Sequence, residues 1–195
     1  MYSLLKEKIE QYTKQKIEDE CWGKFQELLF EKTFEKKQLL AEAGKVCKYN
    51  YFVLNGACYS FLGNESGEKH VVQFALDGYW ISDLYSFFSG DKAIYHIEAI
   101  EDTTVLMLNK SSFETACEQL PVFEKYFRLL VQNAYVSLQY RLVKSVSASA
   151  EQRYAELMQR HPDFIQRIPQ YLIASYLGIQ PPSLSRIRKE WLNKR

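Results

Sequence analysis

The chain is poor in the residues that build metal and redox sites. Among 195 residues there are 4 cysteines and 3 histidines. Cys21, Cys47, Cys58 and Cys117 are dispersed and form no C-x-x-C pair. That spacing excludes a zinc ribbon, a thioredoxin-type redox pair and the clustered thiolates of an iron–sulfur site. The cysteines read as reduced and mostly buried. His70, His96 and His161 are equally isolated and give no H-x-H of a cupin-type centre, so neither a metal nor another cofactor is expected. A Gly-rich phosphate loop and a G-x-S-x-G elbow are missing too, which argues against catalysis. No apolar run approaches the ~20 residues of a membrane span. The opening "MYSLLKEKIEQYTKQKIEDE" is charged throughout and holds no signal-peptide core. These absences lead to the expectation of a cytoplasmic protein that is not an enzyme and has no membrane partner.

Net charge is also small, at +1. With 47% hydrophobic and 25% charged residues, the chain can bury a core as one large domain or two modest ones. The near-zero total hides an asymmetry. Residues 151–195 carry eight basic and four acidic side chains, a net +4, which leaves −3 on residues 1–150. A basic tail on an acidic body suggests a polyanionic partner, with a solvated helix face as the plainer reading.

Hydrophobic periodicity divides the chain. Leu4, Leu5, Ile9, Tyr12, Ile17, Trp22, Phe25, Leu28 and Leu29 recur at roughly helical spacing over residues 1–31. From Lys32 to Asn109 short Val-, Tyr-, Phe- and Ile-rich runs alternate with Gly, Asn and Asp. "NYFVLNGACYSFLGNESGEKHVVQFAL" reads as strand, turn at Asn55-Gly56, strand, loop around Gly63–Gly67, strand. "DGYW" interrupts, and "AIYHIEAI" and "TTVLML" follow as strands joined at Glu101-Asp102. A β-sandwich, barrel or roll is expected. "SSFETACEQ" reads as a short helix capped by Ser111 or Ser112. A long helix starts at Pro121 and runs to about Ser147, apolar around most of its first turns. Such a helix must be buried on more than one face. The β-domain is one cover. The same helix of a second subunit is the expected other, through Phe127, Leu130, Ala134 and Leu138, with a helix buried wholly in the core of one chain as the plainer reading. A small-residue hinge, "SVSASAEQRY", places a domain boundary between residues 1–147 and 148–195. "AEQRYAELMQRHPDF" then reads as a helix that stops before Pro162.

The stretch "YLIASYLGIQPPSLSRIRKEW" has the wording of a helix-turn-helix. Leu172, Ile173, Tyr176 and Leu177 give the first helix its buried stripe, and Ala174 permits close approach. Gly178 supplies the left-handed turn residue. Leu184 and Ile187 anchor the second helix, while Ser183, Ser185, Arg186, Arg188 and Lys189 face outward. Pro181 or Pro182 fits a first helical turn, where a missing N–H is no loss. A helix of this kind can lie in a DNA major groove.

The order of elements, with the helix-turn-helix wording strongest in residues 168–190, resembles the Crp/Fnr family of bacterial transcription regulators. The resemblance implies an α+β fold. It would have an N-terminal cyclic-nucleotide-binding-like β-roll (a double-stranded β-helix) with flanking helices, a central dimerisation helix over about 121–147 and a C-terminal DNA-binding domain. It further implies a homodimer on a roughly palindromic double-stranded operator, a small-molecule effector and RNA polymerase as a candidate partner. Three departures qualify this. Ser82-Asp83-Leu84 stands where the family has Gly-Glu-Leu, and Ala93-Ile94-Tyr95 where it has Arg-Ser/Thr-Ala. Asp83, Ala93, Ile94 and Tyr95 would line the ligand pocket, but Ala93 cannot pair with a cyclic phosphate. The effector is therefore other than cyclic AMP, or there is none. Pro182 stands where the family has a base-reading Glu, which leaves base readout to Gln180, Ser183 and Arg186. No wing follows the second helix, so Arg188, Lys189, Lys194 and Arg195 would take more of the phosphate contact. The alternative is a small-molecule-binding regulatory module that acts through protein contacts without specific DNA binding.

Overall fold

The computed structural model describes residues 2–64 and 67–192. The expected loop at Gly63–Gly67 lies partly outside them, and the expected phosphate contacts at Lys194 and Arg195 wholly so. Two helices open the chain, α1 (Ser3–Thr13) and α2 (Asp19–Gln26), rather than one continuous helical region to residue 31. Phe30–Phe34 is already strand β1. There follow β2 (Leu39–Ala41), β3 (Tyr49–Asn55), β4 (Cys58–Gly63), β5 (Lys69–Ala75), β6 (Trp80–Ile81), a short helix α3 (Leu84–Ser89), β7 (His96–Ala99) and β8 (Thr103–Asn109). The rest is helical: α4 (Lys110–Gln119), α5 (Pro121–Ser147), α6 (Ala150–Arg160), α7 (Pro162–Arg167), α8 (Gln170–Tyr176) and α9 (Pro181–Leu192).

The strands form two antiparallel four-stranded sheets, in the orders β1-β8-β3-β6 and β2-β7-β4-β5. Neighbours in sequence therefore change sheet at Asn55-Gly56 and at Glu101-Asp102. Both turns are corners of a roll, not hairpins. Gly56, at φ +113°, is required there: a Cβ would stand 2.6–2.8 Å from Thr103 and the Asp102 carbonyl. The Thr103 hydroxyl ties the two corners together, 3.1 Å from both the N–H and the C=O of Ala57.

Side-chain alternation explains why these strands read as unbroken apolar runs. Tyr51, Val53 and Val105 point into the roll with Cys58, Ile97 and Ala99. Phe52, Leu106 and Leu108 point the other way, into a cluster with α1, α2, α4 and the first turns of α5. On the second sheet Tyr59, Phe61, Val71 and Phe74 point outward into a cluster with α6 to α9. Each sheet is thus covered on both faces.

Several expectations are corrected locally. Helix α4 is capped by Asn109, whose side chain accepts the Ser112 N–H at 2.8 Å, not by Ser111 or Ser112. Pro162 ends α6 and also opens α7, a helix not expected from the sequence. In α5, Phe127 is buried against Trp80, Phe113 and Tyr126, in the chain's own core. It is not available to a second subunit. Leu130 is half-buried at the edge of the same cluster.

Candidate nucleic-acid interface

The helix-turn-helix forms as its residues dictate. Gly178 lies in the left-handed region at φ +66°. Its N–H donates to the Ser175 carbonyl and the Ile179 N–H to the Ala174 carbonyl, both at 3.0 Å. This pair of bonds is a Schellman ending, which satisfies the last carbonyls of α8 while turning the chain. Pro181 and Pro182 occupy the first two positions of α9, where neither lost N–H has an intrahelical acceptor. Both prolines fit the turn, not only one. Leu184 and Ile187 are buried in one cluster with Tyr154, Leu157, Phe164, Leu172, Ile173 and Leu177, and Ala174 is fully buried in the same cluster.

The opposite face of α9 is open. Gln180, Ser185, Arg186 and Lys189 are exposed, and Ser183 and Arg188 are half-buried. How the basic tail is used sharpens this face. Arg160 pairs with Glu156 at 2.9 Å. Arg153 donates to the carbonyls of Ala148 and Leu177. Arg167 sits between Asp77 and Glu101. Arg186, Arg188 and Lys189 take part in no ion pair among the described residues. Arg160 and Arg167 are thus ion-paired and Arg153 is held by backbone carbonyls, while the three basic residues of α9 are left outside these contacts. The sequence gives no sign of this division, because each pairing is tertiary.

The expected ligand pocket is differently arranged. Asp83 is fully buried. Its carboxylate caps α3 by accepting the Ser86 N–H at 2.9 Å, and also accepts the N–H groups of Ile94 (2.7 Å) and Tyr95 (2.9 Å). Ser86, also buried, donates to the Asp91 carbonyl and accepts the Cys47 N–H. Ala93 is buried, Ile94 is exposed and Tyr95 half-buried. Inside the roll Tyr51 fills space with its ring edge on Phe34, and its hydroxyl donates to the Leu40 carbonyl at 2.6 Å. Burial pushes the Tyr51 phenol well above its ordinary value, so it stays a neutral donor. Among the described residues no group of three or more His, Cys, Asp or Glu could hold a metal, and no helix is long and apolar enough to cross a membrane.

Beyond its first turns α5 meets the rest of the chain mainly through Arg141 and Tyr140 and leaves its apolar side uncovered. Residues 131–140 are all exposed, Ala134 among them. Val131, Tyr135, Leu138 and Leu142 recur at steps of three and four, with Leu138 54% and Leu142 67% accessible. That spacing is a coiled-coil seam.

Comparison with known proteins agrees with this architecture. Residues 31–120 match the cyclic nucleotide-binding domain family. FixK2 from Bradyrhizobium japonicum superposes with a TM-score of 0.69 at 21% identity, over 85% of each chain. A CooA mutant from Carboxydothermus hydrogenoformans gives 0.70 at 20% identity, over 88% of this chain and 79% of that one. A protein assigned to the Crp/Fnr family, from Eubacterium rectale, gives 0.67 at 12% identity, over 91% and 85%. No curated protein matches the chain by sequence.

Proposed function

We propose that this chain, which carries a cyclic nucleotide-binding domain at residues 31–120 within the fold of the Crp/Fnr-type regulators, is a dimeric, sequence-specific DNA-binding transcription regulator. The observation that carries the reading is the exposed, unpaired basic face of α9 on a helix-turn-helix. Residues 148–195 would be the DNA-binding part and residues 1–147 the regulatory part. A cytoplasmic location and the absence of catalysis follow from that role.

Arg186 on α9 and Gln180, which directly precedes that helix, are both exposed. With Ser183 they would meet base edges, while Ser185, Arg188 and Lys189 would meet phosphate. Two copies joined along Ala134, Leu138 and the neighbouring seam would present two recognition helices about 34 Å apart, on a roughly palindromic site. Cyclic AMP is not favoured as the effector, because Ala93 offers no cation to its phosphate and the amides of Ile94 and Tyr95 already donate to the Asp83 carboxylate. RNA polymerase is a partner consistent with the role.

Titration of a labelled operator duplex tests the reading. Affinity should fall linearly on a log–log plot against salt, with a slope of about −0.9 per phosphate neutralised. Arg186→Ala should lower discrimination at one base pair by about 1–3 kcal/mol. A uniform loss across all sequences would reassign Arg186 to a phosphate. Weak binding with little salt dependence would favour the module that acts through protein contacts.

A further inference from the structure

The C-terminal helices do not hang from α5 alone. They are bolted to the roll along β5, the outer strand of its sheet. A free edge of this kind leaves backbone groups unpaired. Here Ser175 of α8 takes two of them: its Oγ accepts the Val71 N–H at 3.0 Å and donates to the Lys69 carbonyl at 2.6 Å. Next to it is a β-bulge. Ser60 pairs with Gln73 and Phe61 with Val71, which leaves Val72 as the extra residue. Arg141 of α5 donates to the Val72 carbonyl, and its guanidinium stands 5.2 Å from the centre of the Tyr176 ring on α8. One side chain of the central helix thus touches both the roll and the helix-turn-helix.

A second attachment lies at the corners of the roll. Arg167 of α7 donates to Asp77 (2.7 Å), to Glu101 (2.5 Å) and to the Gly56 carbonyl (3.1 Å). Between the two attachments Phe74 packs its ring on Phe164 and Tyr176, at 5.7 and 5.1 Å. Apolar contact of this kind holds surfaces together but is not directional. Hydrogen bonds are directional. Two directional attachments at separate ends fix the angle of the docked helices as well as their position.

We propose that Arg141, Arg167 and Ser175 are positioning residues for DNA binding. They hold α9 at a set direction relative to α5, and so set the separation of the two recognition helices of a dimer. None of the three touches DNA. The inference rests on the reading of the chain as a dimeric DNA reader.

The test compares the wild type with Ser175→Ala and with the Arg167→Ala, Ser175→Ala double variant. Three duplexes are used: the selected operator, the same operator with one base pair inserted at its centre, and a single half-site. A rigid mount should make the wild type lose about tenfold or more on insertion, while the loosened double variant loses less than about threefold and keeps its half-site affinity. Arg167→Lys in place of the alanine should restore part of the spacing penalty. Equal penalties in wild type and double variant would overturn the proposal. Amide exchange at Val71, read without DNA on variants that keep a cooperative thermal transition, should accelerate in Ser175→Ala. Unchanged exchange would overturn the docking itself. A wild type that binds no duplex would sink the DNA reading and the positioning role together, with the docking still decided by Val71.

Discussion

Asp83 is fully buried, yet its carboxylate is well supplied with partners, because Ser86, Ile94 and Tyr95 each donate a backbone N–H to it. Three donors to one buried anion make a strong local tie. Asp83→Ala would leave those amides without a partner and should cost about 2–4 kcal/mol, read by chemical denaturation. A loss under about 0.5 kcal/mol would show that water replaces the carboxylate easily. Since the amides are already taken, millimolar cyclic AMP should leave the thermal midpoint unchanged, whereas a clear upward shift would mean that the turn opens for phosphate. His161 is the other informative residue. It stacks on Phe164 at 4.6 Å, its Nδ1 lies 3.4 Å from the Tyr79 hydroxyl, and Arg160 and Asp163 flank it. Burial, with Arg160 second and Asp163 opposing, holds its imidazole below the ordinary 6.5. The unfolded chain therefore takes up a proton near pH 6.5 that the folded chain resists, so the His161 contribution to stability falls as pH drops through that region. Thermal melts between about pH 7.5 and 5.5 should show this decline, and His161→Gln should flatten it. An unchanged slope in the variant would place the effect elsewhere.

At the scale of elements, α5 carries the clearest claim. Its first turns are core and the apolar side of its later turns is bare, an arrangement that suits a helix shared between two chains. Leu138→Asp should convert the proposed dimer to a monomer by light scattering, and a dimer of unchanged strength would remove this seam from the interface. The bounds of α5 were legible from its proline start and its small-residue end. So was the helix-turn-helix, where the buried stripe, Gly178 and the anchors Leu184 and Ile187 all agree. Helix α7 was not, because six residues are too few to show a period. The cap at Asn109 was not, because Asn and Ser cap about equally well and three candidates stand within four residues. Asn55-Gly56 has hairpin wording, yet its glycine serves a close approach to Thr103, which depends on a strand far along the chain. For the candidate site the outward face of α9 could be read from the sequence. The internal pairing of Arg153, Arg160 and Arg167 could not, nor could the burial of Asp83, since both depend on how distant elements pack.

Taken whole, the molecule is a roll covered on both faces: one by the N-terminal helices, α4 and the start of α5, the other by the helix-turn-helix. The second cover leaves the basic face of α9 outward and free of internal partners, while the seam of α5 stands uncovered beside it. Both exposed faces would be used in the proposed assembly, a two-fold dimer seated on duplex DNA. The most direct test is enrichment of random-sequence duplexes by the purified protein at two salt concentrations, followed by sequencing. A two-fold-symmetric site with half-sites about one helical turn apart, and affinity falling steeply with salt, is the predicted result. Absence of duplex binding at either salt would contradict the account.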